Sequence, residues 1–180
     1  TDVISKNGNF LLNVEMMGDG TIPEEHKLIL DEIGAWVNLN EEAIFASKPW
    51  KIYGDNLFSY LKREEGDGNV TDLEALKKQK QNEQFNERTL ESEPYGHEEV
   101  RFTTKDDVLY VFVLNPEEGE IEIPSLGLTS SHKPNKIESV KLIGSEQEIS
   151  FEQNGEKLTL VVPKNRPNKY TSVFKVTGAL

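Results

Sequence analysis

The chain has 180 residues, enough for one hydrophobic core of ordinary size or two small ones. Its 32 acidic residues outnumber its 20 basic residues, and the formal net charge of −12 disfavours nucleic acid and anionic membrane surfaces as partners. The absence of cysteine excludes disulfides, thiolate metal sites and cysteine nucleophiles, and no apolar run approaches the roughly 20 residues of a membrane-spanning helix.

The first part of the chain has the pattern of a strand, a turn and a helix. Residues 9–14 form a short, mostly apolar run that is typical of a parallel strand buried on both faces. Asp19-Gly20 marks a turn, and Thr21-Ile22-Pro23-Glu24 predicts a capping box at a helix start. Apolar residues then recur at helical spacing to about residue 37, giving one stripe that must pack against another surface. The sequence therefore predicts a βα unit over residues 9–38, and such a unit needs neighbouring strands.

The second half of the chain has the period of two that antiparallel strands require. Residues 62–100 are polar and predict a linker with a short helix at about residues 72–81. From Glu99 onward, strands are predicted at residues 100–104, 108–114, 120–124, 137–143, 148–151, 157–162 and 170–176. Asn154-Gly155 predicts a hairpin through a type I′ turn, in which both residues have positive φ. This number and spacing of short strands predict an antiparallel β-sandwich.

Few residues indicate chemistry. His26, His97 and His132 lack metal-ligand spacing, so we interpret them as surface residues and expect no metal site. Adjacent acids, such as Glu41-Glu42 and Glu98-Glu99, are interpreted as solvated charge because neighbours in sequence point apart in a strand. A glycosidase needs two carboxyls held about 5 Å apart or somewhat wider, and no such pair can be chosen from the sequence.

Each of the two tryptophans has two interpretations. Trp36 lies on the helical stripe, which favours a core position over a sugar platform. Trp50 lies in a Lys-Pro-Trp segment and is interpreted as an anchor at a domain joint, with a ligand contact as the alternative.

Several motifs resemble those of glycoside hydrolase family 29 α-L-fucosidases. The motifs, in chain order, are Asp2-Val3-Ile4-Ser5-Lys6-Asn7-Gly8-Asn9-Phe10-Leu11-Leu12-Asn13-Val14, Asp19-Gly20-Thr21-Ile22-Pro23, Ile33-Gly34-Ala35-Trp36, Glu42-Ala43-Ile44-Phe45, Lys48-Pro49-Trp50, Arg101-Phe102-Thr103-Thr104-Lys105 and Leu109-Tyr110. Their order and spacing resemble the end of the catalytic barrel of these enzymes and the passage into a carboxy-terminal β-sandwich. The resemblance covers nearly the whole chain, apart from the linker at about residues 62–95.

The resemblance implies a mostly β chain in which a terminal βα unit of a (β/α)₈ barrel precedes the sandwich. The implied domains are residues 1–45 for the βα unit, 46–98 for a connector and linker, and 99–180 for the sandwich. The aspartate nucleophile and the acid/base carboxyl of the family would precede Thr1, so no catalytic residue is assigned here. The residues before Lys6 show no initiator Met and no leader pattern, which favours either a removed leader or a start inside a longer protein. No metal or organic cofactor is implied.

One stretch departs from the family pattern. After the predicted strand, where the family usually has Asn-Val/Ile-Gly-Pro, this chain has Asn13-Val14-Glu15-Met16-Met17. Barrel active sites are built from the loops at the carboxyl ends of strands. Glu15, Met16 and Met17 are therefore candidates for the rim of the substrate pocket, with a structural variation away from the substrate as the alternative.

The leading hypothesis is a carboxy-terminal fragment of a retaining α-L-fucosidase that removes α-linked L-fucose from glycans, the fragment itself being inactive. The alternative is a non-catalytic sandwich module that binds carbohydrate or packs against another domain. The expected partners are a fucosylated glycan through the parent enzyme, and either the missing barrel portion or a second copy through residues 9–38. The family resemblance suggests a periplasmic, secreted or lysosomal location, which the sequence itself does not decide.

Overall fold

A computed structural model of the chain describes residues 1–56 and 95–180. Its helices are α1 (Asp2–Ser5), α2 (Glu24–Leu39) and α3 (Glu41–Ile44). Its strands are β1 (Lys48–Asp55), β2 (Val100–Lys105), β3 (Val108–Val113), β4 (Gly119–Ile123), β5 (Ser139–Leu142), β6 (Phe151–Gln153), β7 (Leu158–Val162) and β8 (Ser172–Thr177). A 3₁₀ turn at Pro124–Leu126 follows β4. None of the helices in the described part of the chain is long and apolar enough to cross a membrane. The helix predicted at residues 72–81 lies outside the described residues.

The strands form two antiparallel sheets. The larger sheet has the order β1-β2-β3-β8-β5, and the smaller has the order β4-β7-β6. A strand is present at or beside each position that the alternating pattern predicts, and the predicted antiparallel β-sandwich is confirmed.

The larger sheet is the middle layer of the molecule. On one face of β3, Val111 and Val113 belong to the main core that includes residues of the smaller sheet, such as Ile121, Leu158 and Leu160. On the other face, Tyr110 and Phe112 pack beneath the helices in a second cluster, together with Ala43, Val173, Ile4, Ile44 and Trp36. Strand β3 is therefore covered on both faces, as its unbroken apolar pattern predicts.

The aromatic side chains of the strands are mostly buried. Phe102, Tyr110, Phe112 and Phe174 are buried as the strand pattern predicts. Phe151 is only half-buried and Tyr170 is exposed, although both lie within the predicted strands at residues 148–151 and 170–176. Phe151 lies on β6, which is at the edge of the smaller sheet, and Tyr170 precedes β8.

Trp50 is a core residue of the sandwich. Its indole packs edge-to-face on Phe102, with the two ring centroids 5.2 Å apart, and only 8% of the residue is exposed. Neither a ligand contact nor an anchor between domains describes this position, because both rings lie within the main core. The histidine ring of His132 lies 5.9 Å from the indole on another side.

Strand β1 lies inside the stretch predicted as a connector. It pairs with β2, with Asp55 directly opposite Val100, and the pairing is irregular between Pro49 and Gly54. Proline and glycine within the segment obscured its strand character in the sequence. At Gly54, a Cβ atom would lie 2.4 Å from the carbonyl oxygen of Val100, so the two backbones approach more closely than any larger residue permits.

Asn56 closes the end of this β1–β2 pair. Its side-chain Nδ2 donates to the backbone carbonyl oxygens of Glu98, at 3.0 Å, and Glu122, at 2.7 Å. The chain therefore leaves the larger sheet after Asp55 and returns to it at Val100 through adjacent, hydrogen-bonded points.

The strand predicted at residues 9–14 is not formed. The segment is irregular, and Phe10 and Leu11 are 68% and 86% exposed. A parallel strand exists only by hydrogen bonding to a neighbour, and the described residues place no strand beside this one. The prediction was therefore wrong for this chain by itself. The strand does not form because no neighbouring strand in the described part of the chain offers an edge to pair with.

Helix α2 forms as predicted, but its start and its stripe differ. The N-cap is Pro23, without a side-chain cap bond. The hydroxyl of Thr21, which the capping-box pattern assigned to the helix, donates instead to the carboxylate of Asp19 at 2.7 Å. Ile29 and Ile33 on the stripe are 55% and 39% exposed, because only the carboxyl-terminal part of α2 packs on the sandwich.

The hairpin of β6 and β7 is confirmed, with Gln153 opposite Leu158. Its turn is not type I′, since neither Asn154 nor Gly155 has positive φ. Asn154 pairs with Lys157 through its backbone N–H, and its side-chain Oδ1 accepts hydrogen bonds from the backbone N–H groups of Glu156 and Lys157. The asparagine side chain therefore organises this turn, and the turn residues between the closing pair are Gly155 and Glu156.

Candidate functional site

The predicted pocket rim lies in an exposed turn. Glu15, Met16 and Met17 follow Val14 in an irregular segment, with Met16 69% exposed. The turn after them is fixed by hydrogen bonds from Met17 N–H to the Thr21 carbonyl, at 2.7 Å, and from Gly20 N–H to the Met17 carbonyl, at 2.9 Å. Their assignment to a substrate pocket stays a prediction.

Asp19 reinforces this turn. Its carboxylate accepts hydrogen bonds from the hydroxyl and from the backbone N–H of Thr21, at 2.7 and 2.9 Å. These two hydrogen bonds hold the pKa of Asp19 below its ordinary value. The Met17–Thr21 segment is therefore a defined turn, although its side chains face solvent.

The 9–14 segment and the first half of helix α2 both expose apolar side chains. We call it the outer face and define it as Phe10, Leu11, Leu12, Leu28, Ile29 and Ile33, all of which are exposed. Beside it is an open groove of about 560 Å³, lined on its apolar side by Phe10, Ile29, Ile33, Trp36 and Val37. Exposed apolar side chains beside a groove are typical of a surface that binds another protein surface.

Trp36 anchors the carboxyl-terminal half of α2 to the sandwich. Its Nε1–H donates to the Thr171 carbonyl at 2.9 Å, and its ring packs on the second cluster. One turn earlier, Glu32 accepts a hydrogen bond from the Tyr170 hydroxyl and faces Lys169. The hydrogen bond from Tyr170, followed by the charge of Lys169, holds the pKa of Glu32 below its ordinary value.

Helix α3 is anchored through Glu42. One carboxylate oxygen accepts hydrogen bonds from the Tyr110 hydroxyl, at 3.1 Å, and from Lys175 Nζ, at 2.6 Å. Burial, followed by the charge and hydrogen bond of Glu42, raises the pKa of Tyr110 to about 12. The hydroxyl of Thr103 donates to the Ala43 carbonyl, so two neighbouring residues of α3 are bonded to the larger sheet.

Helix α1 is anchored through Arg101. The guanidinium Nε donates to the Asp2 carboxylate at 2.6 Å, and NH2 donates to Glu99 at 3.4 Å. The side chain of Arg101 is only 5% exposed. Burial by itself would raise the pKa of Asp2, but hydrogen bonds from Lys6 and Arg101 outweigh it and hold this pKa below its ordinary value.

The remaining predicted residues do not converge. The three histidines are half-buried rather than exposed, and no group of three or more histidine and acidic side chains suited to a metal exists within residues 1–56 and 95–180. The prediction that Glu42 and Glu99 are solvated charges was wrong. Each is the partner of a buried or half-buried side chain on the sheet. No sequence pattern indicated these pairs, because they depend on how α1 and α3 pack against the larger sheet.

Two family models match this chain in order along it. The model described as alpha-L-fucosidase matches residues 1–42, and the model described as alpha-L-fucosidase C-terminal domain matches residues 94–177. The first stretch contains the irregular segment, α1 and α2, and the second contains the strands β2 to β8.

Relatives with these descriptions align over nearly the whole chain. The tissue alpha-L-fucosidase of Rattus norvegicus is 27% identical over 93% of this chain and 27% of its own length. The human tissue alpha-L-fucosidase is 24% identical over 97% of this chain and 29% of its own length. The chain thus spans under a third of these relatives.

Solved structures give the same result. A crystal structure of the alpha-fucosidase of Thermotoga maritima has a TM-score of 0.61 and 25% identity, covering 98% of this chain and 32% of that one. A structure of the same enzyme in complex with fucose has a TM-score of 0.61 and 26% identity over the same shares of both chains. With its two family models, its relatives and its fold in agreement, this chain belongs to the α-L-fucosidases of glycoside hydrolase family 29 and corresponds to their carboxy-terminal part.

Proposed function

We propose that this chain is the carboxy-terminal part of a retaining α-L-fucosidase, an enzyme that removes α-linked L-fucose from glycans. The observation that carries the proposal is that the two matched stretches pack against each other in one structure. Residues 1–42 and 94–177 are matched by different family models, and the hydrogen bonds from Arg101 to Asp2 and from Trp36 to Thr171 join them.

In this proposal the reacting carboxyls belong to the part of the relatives that this chain does not match. A carboxylate nucleophile would form a fucosyl-enzyme intermediate, and a second carboxyl would first protonate the leaving group and then activate water. No residue of this chain is assigned a catalytic role. The chain's own contribution is the last βα unit of the barrel and a sandwich that holds it.

The outer face supports this assignment. Its residues, Phe10 and Leu11 above all, are apolar and exposed, and they continue the sequence pattern of a strand that is buried on both faces. We propose that the rest of the barrel covers this face in the parent enzyme. In the isolated chain, the same face would pair with a second copy.

Within the assembled barrel, Glu15, Met16 and Met17 would lie at the carboxyl end of the last strand, where barrel active sites are built. The hydrogen-bonded turn from Met17 to Thr21 would fix the backbone just after Glu15 and Met16 without the help of substrate. We therefore propose them as rim residues, and not as catalytic residues.

The alternative of a sugar-binding sandwich requires exposed aromatic side chains on one sheet face. Phe102, Tyr110, Phe112 and Phe174 are all buried within the two clusters. These four rings are inaccessible to a sugar, and the exposed Tyr170 bonds Glu32 of α2 through its hydroxyl. The enzyme fragment is therefore the better supported function.

The test is to measure hydrolysis of an aryl α-L-fucoside by the chain alone and by a chimera. In the chimera this chain replaces the matched third of the Thermotoga maritima alpha-fucosidase, and the remaining two thirds expressed alone are the control. We expect no turnover by the chain or the control, and turnover by the chimera. Turnover by the chain alone, or a folded chimera without activity, would contradict the proposal.

A further inference from the structure

Arg101 is buried at the contact between α1 and the larger sheet, and all three of its nitrogen atoms donate. Nε donates to Asp2, NH2 to Glu99, and NH1 to the backbone carbonyl of Val100 at 2.9 Å. The guanidinium carbon lies 5.7 Å from the ring centroid of Tyr53 and 5.4 Å from that of Tyr95. A planar group with donors in fixed directions suits this arrangement, and a lysine ammonium does not reproduce it.

The segment held by Arg101 is rigidly joined to the residues that follow it. Asn7 turns the chain with a φ of 59°, and the Gly8 N–H donates to the Val3 carbonyl at 2.9 Å. A Cβ at Gly8 would lie 3.1 Å from a methyl carbon of Val3, so the chain folds tightly back on α1. The position of α1 therefore determines where the 9–14 segment begins.

We propose that Arg101 is a positioning residue that, through Asp2, fixes the start of the 9–14 segment relative to the sandwich. Trp36 ties the far end of α2, so the stretch from α1 to α2 is held at both ends while its middle stays open to a partner surface. The consequence for the substrate-pocket rim at Glu15 rests on the proposed function. The consequence for the position of α1 does not, and it can be tested on the chain as it is.

The electrostatics favour this role. Replacing Asp2 leaves a guanidinium that is 5% exposed with one carboxylate partner fewer, which is costly for a buried charge. Glu99, itself only 3% exposed, stays as the second carboxylate. The sandwich should therefore remain folded in Asp2→Asn while the contact with α1 weakens.

The first experiment measures amide hydrogen exchange in the full chain for Asp2→Asn and Arg101→Lys. We expect the Ser5 and Gly8 amides to exchange at least about tenfold faster in both variants, a factor equivalent to ~1.4 kcal/mol. The buried amides of β3 serve as the internal reference and should change less than about twofold.

Two matched controls separate this contact from others nearby. Lys6→Met removes the exposed partner of Asp2 but leaves Arg101 in place. Lys175→Met breaks the anchor of α3 and not that of α1. Both should leave the exchange of Ser5 and Gly8 within about twofold of the wild-type rate. Unchanged exchange of these two amides in Asp2→Asn and Arg101→Lys, with the sandwich intact, would overturn the proposal.

The second experiment uses the chimera described above. If its wild-type form is inactive, the proposed function fails, and the exchange experiment still decides the role of Arg101. If it is active, we expect Arg101→Lys to raise KM with a smaller change in kcat, because a displaced rim affects binding more than the reacting carboxyls. A purely structural contact would reduce the amount of folded protein without changing KM.

Discussion

The indole N–H of Trp36 on α2 donates to the backbone carbonyl of Thr171, which lies just before β8 and 135 residues further along the chain. This bond is one of those that join the two stretches that different family models match. Close by, Gly144 meets the Leu39 side chain at the end of the same helix. The carboxyl-terminal end of α2 is therefore bonded to the sandwich at Trp36 and lies against it at Leu39.

Trp36→Phe should lower the free energy of unfolding by about 1 kcal/mol, because the Thr171 carbonyl loses its donor while most of the ring packing remains. Denaturant unfolding followed by circular dichroism measures this change. Lys27→Ala on the exposed start of the same helix is the control, and we expect it to stay within about 0.5 kcal/mol of wild type. An equal loss in both variants would show that the bond contributes nothing of its own.

Gly144→Ala should destabilise the chain by about 1–2 kcal/mol, because an L side chain is strained at a φ of +77°. The added Cβ would also lie 2.6 Å from a methyl carbon of Leu39. Gly155→Ala is the matched control: its φ is not positive and its nearest neighbour, a methyl carbon of Thr129, is 3.5 Å away. We expect the control to stay within about 0.5 kcal/mol of wild type in thermal unfolding.

That control also bears on what the sequence could predict. The Asn154-Gly155 pair correctly located the hairpin, because alternating apolar residues flank it. It did not determine the turn type, because the side chain of Asn154 accepts the hydrogen bonds of Glu156 and Lys157 and stabilises a different turn. If Gly155→Ala were strongly destabilising, the type I′ assignment would regain support.

The strands could be predicted from the sequence, but the packing of α1 and α3 on the larger sheet could not. From Val100 to Val176, apolar and polar residues alternate along many of the strands. These strands could therefore be predicted from the sequence alone. The burial of Arg101 depends on α1, a four-residue helix without a side-chain cap bond, which leaves no periodic signal. The strand predicted at residues 9–14 is the opposite case, in which the sequence pattern is present but the structure does not form. Its apolar residues are there, but the described residues supply no neighbouring strand to pair with it.

Tyr110 should be the last tyrosine to ionise among those described, since its pKa is raised to about 12. The folded state then holds this proton more tightly than the unfolded state, whose tyrosine pKa is about 10. Its contribution to stability is complete below pH 10 and is lost as the pH rises toward 12. Tyrosinate absorbance across this range measures the ionisation.

Glu42→Gln should lower the pKa of Tyr110, because the carboxylate charge and its hydrogen-bond acceptor raise it. The shift should be partial, since burial is the largest cause and does not change. A control variant, Glu120→Gln on β4, should leave the titration of Tyr110 unaltered. If the two variants had the same Tyr110 pKa, Glu42 would not be a cause of its shift.

The isolated chain should self-associate through the outer face. Leu11 is 86% exposed, and burying one leucine stabilises an interface by about 1.5–3 kcal/mol. Leu11→Gln should therefore raise the dissociation constant at least about tenfold in sedimentation velocity. Leu128→Gln, at an exposed leucine on the sandwich, is the control and should have no effect. A wild-type chain that stays monomeric at high concentration would contradict this prediction.

The adjacent positions of Asp55 and Val100 make the β1–β2 connection a natural insertion point. Asn56 clamps the two chain ends together at this point, so the register of the larger sheet does not depend on the length of the connection. The entropy of closing a loop rises by only about 0.6 kcal/mol for each doubling of its length. We therefore expect that the connecting segment can be lengthened, shortened or exchanged, or can accept a whole reporter domain, while the sandwich and its anchors on α1 and α2 keep their geometry.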